Sequence, residues 1–279
     1  MAARYPLVPL AYPRGVTIAP AHAQHGSPIR LEWGPTGGAA VSADADIAVV
    51  VDVLSFTTTL SIATRRGTRV HPFPWKDERA QAHADALGAV LAVGRFEAQQ
   101  LADPPPSLSP AQLLTSRYVE RLVLPSPNGS TICAALRRAS PALTVVGASL
   151  RNRAAVARWL APRVAAGARV AVVPSGERWA DGTLRPAVED LWGAGAVLDR
   201  VLGPGEPGAA SLGASPEARL AAAAYREVAE RVATELRGCA SGQELVAAGF
   251  AADVTAAAEV DADDVVPLLT EEGFVAAEA

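Results

Sequence analysis

Cysteine and lysine are nearly missing from this chain of 279 residues, which has two cysteines and, among 25 basic residues, a single lysine, Lys76. Cys133 and Cys239 are too few and too far apart in sequence for a metal knuckle or a disulfide framework. They read as buried thiols of a protein kept in a reducing cytosol. The arginine-for-lysine skew, together with abundant alanine, matches the codon bias of a GC-rich genome and implies no function. A net charge of −4 without a long basic run gives nucleic-acid binding no support. No apolar run reaches the ~20 residues of a membrane helix. The N-terminus lacks a charged segment followed by an apolar one, so no signal peptide is expected. The expected setting is cytoplasmic, with no membrane partner. Three catalytic signatures are missing as well: a Walker loop with Gly-Lys-Ser/Thr, a Gly-x-Ser-x-Gly elbow and a glycine-rich dinucleotide fingerprint.

Half of the residues are hydrophobic, ample for a large core. Residues 1–28 hold many prolines and no periodicity, which predicts an extended or partly disordered arm. His22 and His25 lie in it and read as surface histidines. Residues 29–279 predict one α/β region with a subdomain break near 98–118. Ile29–Trp33 alternates like a first strand, closed by glycine-rich turns at Gly34-Pro35 and Gly37-Gly38. A strand, polar turn and helix then recur: strands over 49–54, 68–73, 89–93, 121–124, 143–146 and 169–173, and helices over 57–66, 77–87, 130–138 and from Pro186 onward. This alternation predicts a mostly parallel sheet flanked by helices in three α/β/α layers, with two similar βα subdomains as one arrangement. Ser215 and Pro216 open a helix to about Glu235, a short helix follows over 242–248, and Asp261–Asp264 reads as a solvated acidic surface.

The polar turns fall at the carboxyl ends of strands, where such sheets bind ligands. Asp52 interrupts the all-apolar run from Ile47, and a buried carboxylate demands a positive or hydrogen-bonding partner. Thr57, Thr58 and Thr59 follow at the expected helix start, where free N–H groups favour an anion. Simple capping explains the same residues, and this box alone does not choose. Asn128-Gly129-Ser130 is a second turn suited to an anion or to a cap, and Pro174-Ser175-Gly176-Glu177 is a third. Glu189 and Asp190 begin the helix after Pro186, where they join Asp52 around a hard cation or merely suit the helix dipole. Arg95, Arg151 and Arg153 lie past strand ends, placed to pair with a second anionic group or to remain on the surface.

In this order the turns resemble the 2-phosphosulfolactate phosphatase family, whose members use Mg²⁺ to remove phosphate from a small sulfonated acid on a route to coenzyme M. The resemblance runs through Asp52-Val-Leu-Ser-Phe-Thr-Thr58, Asn128-Gly129-Ser130, Gly147-Ala-Ser-Leu-Arg-Asn152 and Ser175-Gly176. It continues through Glu189-Asp190 with Gly193-Ala194-Gly195, and Gly249-Phe250 with Asp253-Val254. It spans roughly residues 29–275. The family box usually reads Asp-Val-Leu-Arg-Ala-Thr-Thr, and here Ser55-Phe56 replaces Arg-Ala. Losing that arginine removes a charge-assisted contact of ~1.5–3 kcal/mol unless another group substitutes. The resemblance implies an Mg²⁺-dependent hydrolase of a small anionic phosphoester, with Asp52, Glu189 and Asp190 as catalytic and metal-binding residues. Ser55, Thr57, Thr58, Arg95, Asn128, Gly129, Ser130, Asn152, Ser175 and Gly176 would bind substrate. Water is the expected nucleophile, with direct attack by Asp52 as the rival route. The alternative function is a non-catalytic binder of a phosphorylated or sulfonated small molecule. A homo-oligomer is left open.

Overall fold

The computed structural model describes residues 19–74, 78–203 and 213–278, so the first part of the expected arm lies outside the described residues. Among the described residues, nine strands join one sheet in the order β1-β7-β2-β6-β10-β11-β3-β5-β4. In chain order these are β1 (Ile29–Leu31), β2 (Ile47–Val51), β3 (Arg69–Phe73), β4 (Val90–Leu91), β5 (Arg121–Pro125), β6 (Thr144–Ala148), β7 (Val170–Pro174), β10 (Pro267–Thr270) and β11 (Gly273–Ala276). Two further strands, β8 (Glu177–Arg178) and β9 (Leu184–Arg185), form a separate antiparallel hairpin. The pairs β1–β7, β2–β7, β2–β6, β3–β5 and β4–β5 are parallel, as the alternating pattern predicts. The exception is the antiparallel β10–β11 pair, which pairs with β6 on one side and β3 on the other. It joins two parallel groups into one sheet, and the sequence pattern does not anticipate it.

Strand β2 shows why the sheet is covered on both faces. All five of its residues are buried. Val49 and Val51 join a core with α7 (Arg153–Ala165), α8 (Val188–Leu202) and α9 (Pro216–Val228). Ala48 and Val50 join the opposite core with α2 (Phe56–Arg65) and α6 (Gly129–Ala139). A two-residue period with both sets apolar is the signature of a strand sandwiched between helix layers. Helices α3 (Glu78–Leu87), α4 (Arg95–Gln99) and α5 (Pro110–Thr115) fall between β3 and β5, and α12 (Ala251–Ala257) precedes β10.

Three local expectations fail for physical reasons. Gly34–Ser42 forms helix α1 rather than turns. Its Gly38 packs where an added Cβ would lie 2.8 Å from Val173 Cγ1, so this glycine permits close helix–strand approach. The helix expected to reach Glu235 breaks after Val228 into a 3₁₀ turn and a second helix, α10 (Val232–Gly238). The acidic segment is not wholly solvated. Asp263 is 1% exposed, accepts from Arg151 Nε at 2.8 Å and from Ser61 Oγ at 2.5 Å, and pairs with Arg65 at 2.9 Å. No helix among the described residues is long and apolar enough to cross a membrane.

Candidate active site

Asp52 follows β2, and its carboxylate is itself the anion at two helix starts. One oxygen accepts the N–H of Phe56, the first residue of α2, at 3.0 Å, and the other accepts the N–H of Gly129, the first residue of α6, at 2.9 Å. Positive helix ends and free amides make this a favourable seat for a carboxylate. It also explains how residues far apart in the sheet meet. Strand β5 lies five places from β2 in the strand order, but α6, which follows β5, runs back to pack on α1 and β2. A Cβ on Gly129 would sit 2.8 Å from Asp52 Oδ2 and 2.4 Å from the Phe56 ring, so the close approach requires glycine.

Thr57 and Thr58 complete this turn, while Thr59 Oγ1 donates to the Leu108 carbonyl at 3.0 Å. Thr57 Oγ1 donates to the Asp52 carbonyl at 2.8 Å and accepts from the Asp52 N–H at 2.9 Å, while Thr58 Oγ1 donates to the Val53 carbonyl at 2.7 Å. Ser130 Oγ likewise donates to the Leu124 carbonyl at 2.8 Å, and Asn152 ties its own turn through the Ser149 N–H at 2.8 Å. Capping and turn closure therefore account for the side chains of Thr57, Thr58, Ser130 and Asn152, which were expected to bind substrate.

Asp190 is a latch between strand ends. Its oxygens accept the Val53 N–H at 2.7 Å and the Gly176 N–H at 2.9 Å, which ties the segment after β2 to the segment after β7. Like those of Asp52, both of its oxygens accept backbone amides, and each carboxylate oxygen keeps a second lone pair. Among the described residues, no group of three or more His, Cys, Asp or Glu side chains is disposed to hold a metal ion. Glu189 differs from its neighbour. It is 2% exposed, and its Oε2 has no hydrogen-bond partner. The Ser175 hydroxyl is also buried and unpartnered.

Arg95 answers the substitution at position 55. Its Nη2 donates to Ser55 Oγ at 2.5 Å, and its Nε pairs with Asp253 at 2.8 Å. Asp253 is fixed by Ser109 Oγ and by the Ala111 N–H at 3.2 Å. A guanidinium from the start of α4, just after β4, thus stands beside Ser55, the position where the resemblance leads one to expect arginine. The other two arginines are engaged elsewhere. Arg151 is 2% exposed and bound to Asp263 and Glu259, and Arg153 pairs with Asp261 at 3.2 Å and donates to Tyr225.

Two neighbours of the site are not singled out by sequence. Glu177, read only as part of a turn, accepts from Asn128 Nδ2 at 2.9 Å. Cys239 caps helix α11 (Ala240–Ala247) through the Gly242 N–H, and burial together with the Glu189 charge pushes its thiol up to about 12. For Glu177, a carboxylate just past the end of a strand was the available signal.

The electrostatics follow from crowding acids in a dry place. Burial raises the Asp52 carboxyl, opposed by its two amide bonds and by Arg95. Burial and the charges of Asp52 and Glu189 raise Asp190 further, and Glu177 is pushed up to about 7 by burial and Asp52. Groups raised this way bind more protons in the folded than in the unfolded chain, so stability falls as pH rises through the interval between their ordinary and folded values. In chelator-containing buffer we expect a higher melting temperature at pH 5 than at pH 8. A melting temperature that rises over this interval would contradict this placement of the acids.

Comparison with known proteins points to one family. A family model described as 2-phosphosulpholactate phosphatase matches residues 39–272. A protein of Thermosynechococcus vestitus named "Probable 2-phosphosulfolactate phosphatase" is 31% identical over 225 residues, covering 80% of this chain and 88% of the relative. One of Parasynechococcus marenigrum with the same name is 33% identical over 239 residues, covering 84% and 93%. Another, of Synechococcus sp., is 32% identical over 240 residues, covering 83% and 92%. With its turns in this order and a match spanning most of its length, the chain belongs to the 2-phosphosulpholactate phosphatase family.

Proposed function

We propose that this protein hydrolyses a small anionic phosphoester, 2-phosphosulfolactate or a close relative, with Mg²⁺ bound at Asp52 and Glu189. The relatives' names and the family match support the reaction class. The observation that carries the metal is the unpartnered Oε2 of the buried Glu189, in a group of carboxylates whose charges act on one another. An uncompensated buried charge is costly, and a cation relieves it. The donors are oxygens, which suits Mg²⁺, an ion commonly held by one or two carboxylates with water and substrate phosphate filling the rest. When bound, the ion would neutralise phosphoryl oxygens and lower the charge developing in the transition state.

The chain's own residues do the remaining work. Asp190 fixes the segments after β2 and β7 in register, while Arg95 and Ser55 offer a cationic and a hydroxyl contact for a second anionic group of the substrate. Asn128 and Ser175 line a cavity of about 430 Å³ beside the turn whose Gly129 N–H holds Asp52. Asp52 is hydrogen-bonded through both oxygens, which weakens it as a nucleophile and favours attack by water.

A screen of small phosphoesters that includes 2-phosphosulfolactate, run with Mg²⁺ and then with excess chelator, tests the reading. Phosphate release that requires Mg²⁺ is the expected result. Release undiminished by chelator would remove the metal from the proposal. Binding of sulfolactate or phosphate without hydrolysis of any ester would favour the non-catalytic binder instead.

A further inference from the structure

The carboxylate of Glu177 has no part in the reaction described so far, although Asn128 ties it to the turn that holds Asp52. It lines the 430 Å³ cavity together with Trp33, Asn128, Thr131, Ser175 and Leu184. Its backbone is fixed in the β8–β9 hairpin opposite Arg185, and its Oε2 is fixed by Asn128 Nδ2. Asn128 immediately precedes Gly129, whose N–H holds Asp52. Glu177 and Asp52 are therefore anchored to consecutive residues of one turn, and the anchoring of Oε2 leaves Oε1 to carry a proton.

We propose that Glu177 is the general acid of this site and protonates the ester oxygen as it departs from phosphorus. The proposal rests on the phosphatase reading. In the step, the bond between phosphorus and the ester oxygen breaks, and its electron pair stays on that oxygen, which takes the carboxyl proton of Glu177 and leaves as an alcohol. Water forms the new bond to phosphorus and keeps both of its protons, so the product is dihydrogen phosphate and Glu177 is left as carboxylate. Dihydrogen phosphate then returns one proton to Glu177 and leaves as hydrogen phosphate, which restores the enzyme. The surroundings support the role. Burial, the largest cause, raises the Glu177 carboxyl to about 7 in the metal-free protein, with the charges of Asp52 and Glu189 adding to it and Asn128 and Arg185 opposing, and a carboxyl raised by burial keeps its proton to higher pH.

A proton donor matters in proportion to how poor the leaving group is. The test compares Glu177→Gln with the wild type on an alkyl phosphate and on 4-nitrophenyl phosphate, whose leaving group departs without help. The amide of this variant keeps an oxygen to accept from Asn128, so the turn retains its hydrogen bond. We expect kcat/KM to fall on the order of 10²–10³-fold on the alkyl ester and by less than about tenfold on the aryl ester. Equal losses on both would overturn the proposal and make Glu177 a positioning residue. If Glu177→Gln does not melt like the wild type, the wild-type enzyme alone decides over a series of leaving groups. A shallow dependence of kcat/KM on leaving-group pKa supports the proton donor, and a steep one overturns it. A wild type that hydrolyses no phosphoester fails in a different way, because it removes the phosphatase reading together with this proposal.

Discussion

Asp52→Asn is expected to lower phosphoester turnover by a factor on the order of 10²–10³, the usual cost of removing a charge that organises a transition state. Both oxygens of Asp52 receive backbone amides from helix starts that belong to different parts of the sheet. Asparagine offers one oxygen and one NH₂ group, so either the Phe56 or the Gly129 amide meets a donor instead of an acceptor. An unpaired buried amide costs about 1–3 kcal/mol. Against that, asparagine carries no charge into a crowd of acids, which recovers part of the loss. The expected result is a folded protein that melts a few degrees lower, with activity lost far out of proportion to stability. Steady-state phosphate release and a thermal melt on the same preparation check both parts. Near-wild-type turnover would remove Asp52 from the chemistry.

Asp190→Ala should produce the largest loss of stability of any single change in the site. Alanine leaves the Val53 and Gly176 amides buried without an acceptor. At about 1–3 kcal/mol for each amide, the sum is a large share of the ~5–15 kcal/mol that holds a typical domain together. Asp190→Asn keeps one acceptor and sheds a charge that burial already disfavours, so its loss should be smaller. Urea midpoints should therefore rank wild type above Asp190→Asn and Asp190→Asn above Asp190→Ala. An unchanged midpoint in Asp190→Ala would mean that the latch contributes nothing. Because Asp190 aligns the strand ends through backbone bonds, both variants should also lose turnover.

The strands of the parallel sheet are legible in the sequence because period and composition agree there. The run Ile47–Val51 is apolar on both faces and is buried on both faces. What escapes is everything decided by a partner distant in sequence. Asp263 looks like a solvated acid until Arg151, 112 residues away, closes on it. Gly37 and Gly38 look like turn residues, and only the nearness of Val173 to Gly38 shows that helix α1 needs a small side chain there. The threonine cluster leaves its job open in the sequence, since a hydroxyl that closes its own turn and one that waits for phosphate look identical in a linear chain; the structure shows Thr57 and Thr58 closing their turn. Glu189 and Asp190 are adjacent, yet one is left unpartnered at Oε2 and the other is fully engaged with backbone amides.

The hairpin of β10 and β11 carries a consequence for aggregation. It fills the gap between β6 and β3, so without it each of these two strands would present an unpaired edge. Unpaired edges of this kind recruit other chains, and late non-local pairing is slow. Residues 267–276 thus act as a keystone between the two parallel groups of strands.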